Sequence, residues 1–157
     1  MRLGRLAVAA LAMGFSIGAA EAITVHRSVT VKGSPWWVWL DIGGFCDISD
    51  WHPAIADCDK GRKDGAVWRT LSVKGGGTIL EKRTEKTATS YSYDMLDTPL
   101  PVADYHATFK VTPAEGGGTT VDWIAHFHAK GASDAEAAAV MVGIFEAGLN
   151  KIAEEHK

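Results

Sequence analysis

The side chains with which this chain could move protons are His52, Arg69, Glu81 and Tyr93. Arg69 and Glu81 sit in consecutive alternating segments joined by Gly75-Gly76-Gly77. A three-residue loop over Gly75–Gly77 sets Val73 opposite Ile79 and Leu71 opposite Glu81, which leaves Arg69 diagonal to Glu81 on one inward face. A buried pair of opposite charges is costly unless well matched, so this pair is either a structural ion pair or a clamp for a ligand. His52, in the triplet Trp51-His52-Pro53, also has two readings: a loop histidine bonded to nearby backbone, or a polar group at a pocket rim.

Two other sets of residues could bind metal. His26, His106, His126 and His128 fall on the polar faces of alternating segments. A histidine pair at i, i+2 can hold a transition metal, and solvated surface histidines are the alternative we expect. Cys46 and Cys58 form an even pair, which in an oxidising compartment is most simply a disulfide. Closing so short a loop stabilises by roughly 3 kcal/mol on the chain-entropy model. Free thiols and a Cys46/His52/Cys58 metal site are the alternatives, although the five-residue gaps match no common ligand pattern. We expect neither a metal nor a cofactor. After residue 22 the chain contains neither G-x-S-x-G nor H-E-x-x-H. Its Gly-rich runs, Gly75–Gly77 and Gly116–Gly118, join strands and so lack the helix N-terminus that holds phosphate.

The elements that must position these groups are legible from periodicity. Ile23–Val31 alternates, with Val25, Val29 and Val31 on one face and only Arg27 out of place. Gly33 ends that strand, Ser34 can cap a helix and Pro35 suits its first turn. Trp36–Asp41 makes about two turns, Gly43-Gly44 stops it, and Phe45–Asp50 forms a second short turn that ends before Pro53. Further strands are expected over Ile55–Asp59, Val67–Val73, Thr78–Thr87, Ser90–Leu96, Tyr105–Thr112 and Thr119–Lys130. Their close spacing favours an antiparallel meander, since parallel strands need crossovers.

The final segment reads as one long helix. Ser133 and Glu136 match a capping box. Ala137, Val140, Met141, Ile144, Phe145, Gly148 and Leu149 form an apolar stripe. On the strands, Val121, Trp123, Ala125 and Phe127 share a face, as do Tyr105, Ala107, Phe109 and Val111, and Tyr91, Tyr93 and Met95. These rings either fill the core or, facing small helix positions such as Ala137 and Gly148, enclose a cavity of mostly apolar character. Between the aromatic strands, Thr98–Val102 is stiff and partly apolar. Leu100 and Val102, if exposed, suit a pocket gate or a partner contact, and an ordinary strand connection is the alternative.

Composition narrows the class further. Arg2 and Arg5, the apolar run Leu6–Ile17 and Ala20-Glu21-Ala22 have the form of a cleaved export signal, residues 1–22. A retained anchor is the alternative, but the run falls short of the ~20 residues that span a bilayer. Cleavage leaves a single domain over 23–157 and a periplasmic or secreted location. It lowers Lys plus Arg from 16 to 14 and Asp plus Glu from 19 to 18, a net charge of −4. With no basic cluster, neither nucleic acid nor an anionic membrane surface is an expected partner.

Taken together, the motifs resemble the polyketide cyclase/dehydrase and lipid-transport branch of the START-related SRPBCC superfamily. The residues that carry the resemblance are Ser34-Pro35 with Val38-Trp39, Trp51-His52-Pro53, Gly65 with Trp68–Leu71, Thr78–Glu81 and Ser90–Tyr93. Pro99–Val102 with Tyr105, Trp123 and Ala147–Leu149 complete it. The resemblance implies an α+β helix-grip fold: a curved antiparallel sheet around a long C-terminal helix, with two short helices after the first strand. It also implies a cavity for a lipid, polyketide or other small apolar ligand. Trp51, His52, Trp68, Tyr93, Tyr105, Trp123, Phe127, Met141 and Phe145 would line it, with Arg69 and Glu81 as polar anchors. Trp68 has the opposite parity to Arg69. Exported members with Trp-His-Pro resemble MxaD-type proteins, which implies an alternative partner, a periplasmic quinoprotein dehydrogenase or its cytochrome. A cyclase or dehydratase activity is the third reading; the family does not itself imply catalysis.

Overall fold

Valine-rich alternation makes β1 (Ile23–Val31) a half-buried strand, and Lys32-Gly33 turns the chain into two short helices, α1 (Pro35–Ile42) and α2 (Ile48–Trp51). The computed structural model describes residues 20–157, so the export signal expected over 1–22 lies almost wholly outside the described residues. Six strands follow as a meander: β2 (Ile55–Lys63), β3 (Ala66–Val73), β4 (Thr78–Lys86), β5 (Ser90–Asp97), β6 (Val102–Pro113) and β7 (Thr119–Ala129). β1 closes on β7, giving one antiparallel sheet in the order β1-β7-β6-β5-β4-β3-β2. The last element, α3 (Asp134–Glu155), packs along β1 and β7 on the apolar face of the sheet.

Local chemistry accounts for most boundaries. Ser133 accepts from the Glu136 amide at 3.2 Å while the Glu136 carboxylate accepts from the Ser133 amide at 2.8 Å, so the capping box forms. Ser34 does stand at the N-cap of α1, but its side chain makes no cap bond; Pro35 supplies the start by its fixed φ. The out-of-pattern Arg27 lies on the helix-facing side of β1 and donates from Nε to Glu146 of α3 at 2.8 Å.

Some expectations need correction. β2 runs on to Lys63 because Asp64 and Gly65, with φ of 52° and 76°, make a two-residue hairpin turn. The β3–β4 loop is Lys74–Gly76, not Gly75–Gly77: the Val73 amide donates to the Gly77 carbonyl, so Leu71 opposes Ile79 and Arg69 opposes Glu81 directly. β6 starts at Val102, not Tyr105, and carries a bulge against β7 between Ala103 and His106. Asp104 sits in that bulge at φ 50°, a left-handed conformation that Asp tolerates better than most residues. The extra residue lets Val102 and Tyr105 both turn inward despite their odd spacing. Val102 is therefore buried and Leu100 half-buried, so neither stands fully exposed as a partner contact would need. On α3, Val140 is exposed, and Ile152 extends the buried stripe by one more turn.

The aromatic strand faces assemble as the alternation predicts. Phe109, Val121, Ala125, Phe127 and Phe145 are all fully buried in one core. Phe145 of α3 stacks on Trp123 of β7 at 4.2 Å between centroids, 7° from parallel. That contact seats the middle of α3 on β7.

Candidate functional site

A cavity of about 160 Å³ lies between α3, α2 and the inward faces of β3 to β7. Leu71 and Val73 of β3, Ile79 of β4, Met95 of β5 and Met141, Ile144 and Phe145 of α3 make its apolar wall. Ile48, Ala54 and Ile55 close the side under α2, and Pro99 and Leu100 close the β5–β6 end. His52, Glu81, Tyr93, Tyr105 and Trp123 complete the lining. Its volume matches an apolar cavity that takes up a benzene-sized molecule (about 150 Å³) and is well below the ~300 Å³ at which drug-sized sites begin.

Seven of the eleven expected ligand residues thus share one wall: His52, Glu81, Tyr93, Tyr105, Trp123, Met141 and Phe145. The other four stand elsewhere. Trp51 is buried behind the wall, stacked on Phe109 at 5.4 Å and edge-on to Trp123 at 5.8 Å. Phe127 is buried deeper and stacks against Tyr105 at 5.9 Å. Trp68 points to the outer face of the sheet, half-buried, with Lys82 Nζ 5.8 Å from its ring. Its parity, opposite to Arg69's, put it there. Arg69 is fully buried but stands one layer back from the cavity, behind Glu81.

The Arg69–Glu81 pair is the electrostatic centre of the molecule. Arg69 Nε donates to Glu81 Oε2 at 2.5 Å, and Nη1 donates to the Phe45 carbonyl. The guanidinium carbon also lies 4.2 Å from the Phe45 ring centroid and 5.0 Å from that of Tyr93, within cation–π range. Burial pushes the Glu81 carboxyl up from its ordinary value, and Arg69 pulls against that shift. With one charge neutralised by the other, the wall presents no net ionic field to the cavity.

His52 has a keystone role that comes from a glycine. Its Nε2 donates to the Ile144 carbonyl of α3 at 3.0 Å and its Nδ1 accepts from the Ala54 amide at 3.2 Å, which sets the neutral tautomer. Burial lowers its pKa, the hydrogen bond to Ile144 works against that shift, and Lys74 adds to it. This approach to the helix needs Gly148: a Cβ there would meet His52 at 2.7 Å and Trp51 at 2.9 Å. The small residue expected to leave space is instead filled by the rings of Trp51, His52 and Trp123.

The cysteines form a disulfide, with Cα atoms 5.5 Å apart, which rules out the free-thiol and metal readings of Cys46 and Cys58. A bulge between Ile55 and Asp57 turns Cys58 to the inner side of β2. The bridge ties the α1–α2 connection to the sheet, next to the Phe45 carbonyl that Arg69 holds. Of the strand-face histidines, His26 bonds Asp122 at 2.7 Å, His126 bonds Thr24 at 2.8 Å and His106 bonds Asp94 at 2.7 Å. Among the described residues no three His, Cys, Asp or Glu side chains gather as a metal site.

Leu71, Ile79, Met95 and Ile144 could have been named as wall residues by the parity that found Tyr93 and Met141. Ile48, Ala54 and Pro99 lie on short or irregular segments and leave no periodic signal.

A seven-stranded antiparallel sheet closed over a long C-terminal helix, with two short helices early in the chain and a cavity between, defines the helix-grip, START-type class. The chain belongs to the family described as polyketide cyclase / dehydrase and lipid transport, whose sequence pattern matches residues 22–157. It is 30% identical to the protein XoxI from Bacillus cereus, with a TM-score of 0.78 over 85% of this chain and 94% of that one. Zhui aromatase/cyclase from Streptomyces sp. R1128 shares the fold at 19% identity and a TM-score of 0.68, over 86% of this chain and 93% of that one. A START superfamily protein from Mycobacterium smegmatis shares it at 12% and 0.69, over 85% and 96%. No curated protein shows significant sequence similarity to the chain.

Proposed function

We propose that this is an exported START-like protein that binds a small apolar ligand between the sheet and α3. The observation that carries this reading is the cavity itself: about 160 Å³ of space with an almost wholly apolar wall, in a core otherwise filled by stacked rings. Native interiors leave few voids larger than a water molecule, so an apolar space of this size is best read as a binding site. Its volume favours a ring-sized molecule over a whole lipid chain. The disulfide supports export to an oxidising compartment. An acid–base enzyme fits less well, because both nitrogens of His52 are bonded to backbone and Glu81 is held by Arg69.

The test is native mass spectrometry of protein purified from the cell, followed by thermal unfolding with toluene or indole. The expected result is a co-purified small molecule, or a rise in Tm with a probe that vanishes in Ile79→Phe, which narrows the cavity. A protein that arrives empty and responds to neither probe overturns the reading.

A second reading, an accessory partner of a periplasmic dehydrogenase or cytochrome, is favoured by one surface. Trp36, Trp37 and Leu40 of α1 are 57%, 69% and 55% exposed. An apolar patch of that kind is a common docking feature. Pull-down with such an enzyme, lost in Trp36→Ser/Trp37→Ser, would support it.

A further inference from the structure

The cavity wall carries four polar side chains besides the indole of Trp123, and three have partners within the protein. Both ring nitrogens of His52 bond to backbone, Glu81 is held by Arg69, and the Tyr93 hydroxyl accepts from Trp123 Nε1 at 3.0 Å. Tyr105 is the exception. It is 2% exposed, it lines the cavity, and its hydroxyl makes no hydrogen bond of ordinary length and angle, although the Tyr93 hydroxyl lies near enough to act on its proton. A buried hydroxyl left unpaired is costly and uncommon enough to need a reason.

The backbone brings Tyr105 into the wall at some expense. The β6 bulge, with Asp104 in the left-handed region, turns it inward where simple alternation from Val102 would have turned it out. Burial pushes the phenols of both Tyr93 and Tyr105 up from their ordinary value, so both keep their protons at neutral pH and can donate. Arg69 and Glu81 cancel one another, so nothing in the wall calls for a charged ligand.

Resting on the carrier reading above, we infer that the ligand is a neutral, ring-sized molecule with one hydrogen-bond acceptor, a ketone, ether or phenol oxygen, and that the Tyr105 hydroxyl receives it. Tyr105 is then the residue that sets specificity. A hydrocarbon of the same shape fills the volume but leaves the hydroxyl unpaired, and a site built to bond a polar group discriminates against the analogue that lacks it.

Cyclohexanone and methylcyclohexane, matched in ring and in heavy-atom count, separate the possibilities. Each is titrated into the protein and into Tyr105→Phe, with the Trp123 indole N–H followed by NMR. Tyr105→Phe should weaken cyclohexanone about tenfold and change methylcyclohexane by less than about twofold. Equal changes for the two probes, or no change for either, overturn the assignment to Tyr105 while leaving the carrier reading in place. Failure of both probes to bind the unaltered protein overturns the two together. Thermal unfolding adds an independent check: Tyr105→Phe should melt at or above the parent temperature, because it removes a buried hydroxyl whose nearness to Tyr93 falls short of an ordinary hydrogen bond. A variant that melts lower or does not fold shows the hydroxyl to be engaged in the fold, and the inference falls.

Discussion

Arg69 shows how much one side chain can organise. It brings a positive charge into a ring-lined core, where an isolated ion would be prohibitively unfavourable. It is tolerated because Glu81, the Phe45 carbonyl and three ring faces surround it, with only Nη2 left without a hydrogen bond. Most of its importance lies in what is left behind when it goes. Arg69→Met should cost about 3–5 kcal/mol in urea unfolding, because Glu81 is then a buried carboxyl without a partner. Arg69→Met combined with Glu81→Leu should recover most of that loss. If the double substitution is as damaging as the sum of the two single ones, the pair is not the coupled unit described here.

At the scale of elements, the decisive contact is the one between the Trp51-His52 end of α2 and α3. Neither helix could be placed by its own periodicity: α2 is only four residues long, and α3 could rotate slightly over a broad apolar sheet. The notch at Gly148 and the hydrogen bond from His52 to the Ile144 carbonyl remove that freedom. Gly148→Ala gains up to about 1 kcal/mol of helix propensity, but it forces three buried rings aside, and overpacking typically costs 1–3 kcal/mol. We expect net destabilisation, read as a lower urea midpoint, together with an altered response to cavity probes. A more stable Gly148→Ala protein would mean that the rings yield readily and that the notch does not set the helix position.

For the molecule as a whole, the sheet has to be curved and clamped before the cavity exists. The disulfide joins the α1–α2 connection to β2 at a sequence separation of 12. Replacing both cysteines by serine should lower stability by about 2–4 kcal/mol, measured by urea unfolding of the two proteins under the same oxidising conditions. Equal midpoints would show that the bridge adds nothing to the clamp. Much of this architecture was legible in advance. Alternation named the inward faces of β1 and of β3 to β7, since a side chain on a strand has only two directions to point. Ser133-x-x-Glu136 and the stripe after it located α3, and the even cysteine pair anticipated the bridge. Bulges and close packing were not legible, because both depend on neighbours distant in sequence. Asp104 shifts the facing of β6 by one residue, and only the pairing with β7 reveals it. Trp51 and Phe127 have the composition of ligand residues, yet they lie behind the wall because other rings take the places in front. Gly148 reads as space in a linear chain and is a filled notch in the folded one. The order of residues therefore determined the fold and the apolar character of its interior, which follow from local periodicity. Where that interior stays open, and which hydroxyl is left facing it without a partner, was decided only when seven strands and three helices competed for the same volume.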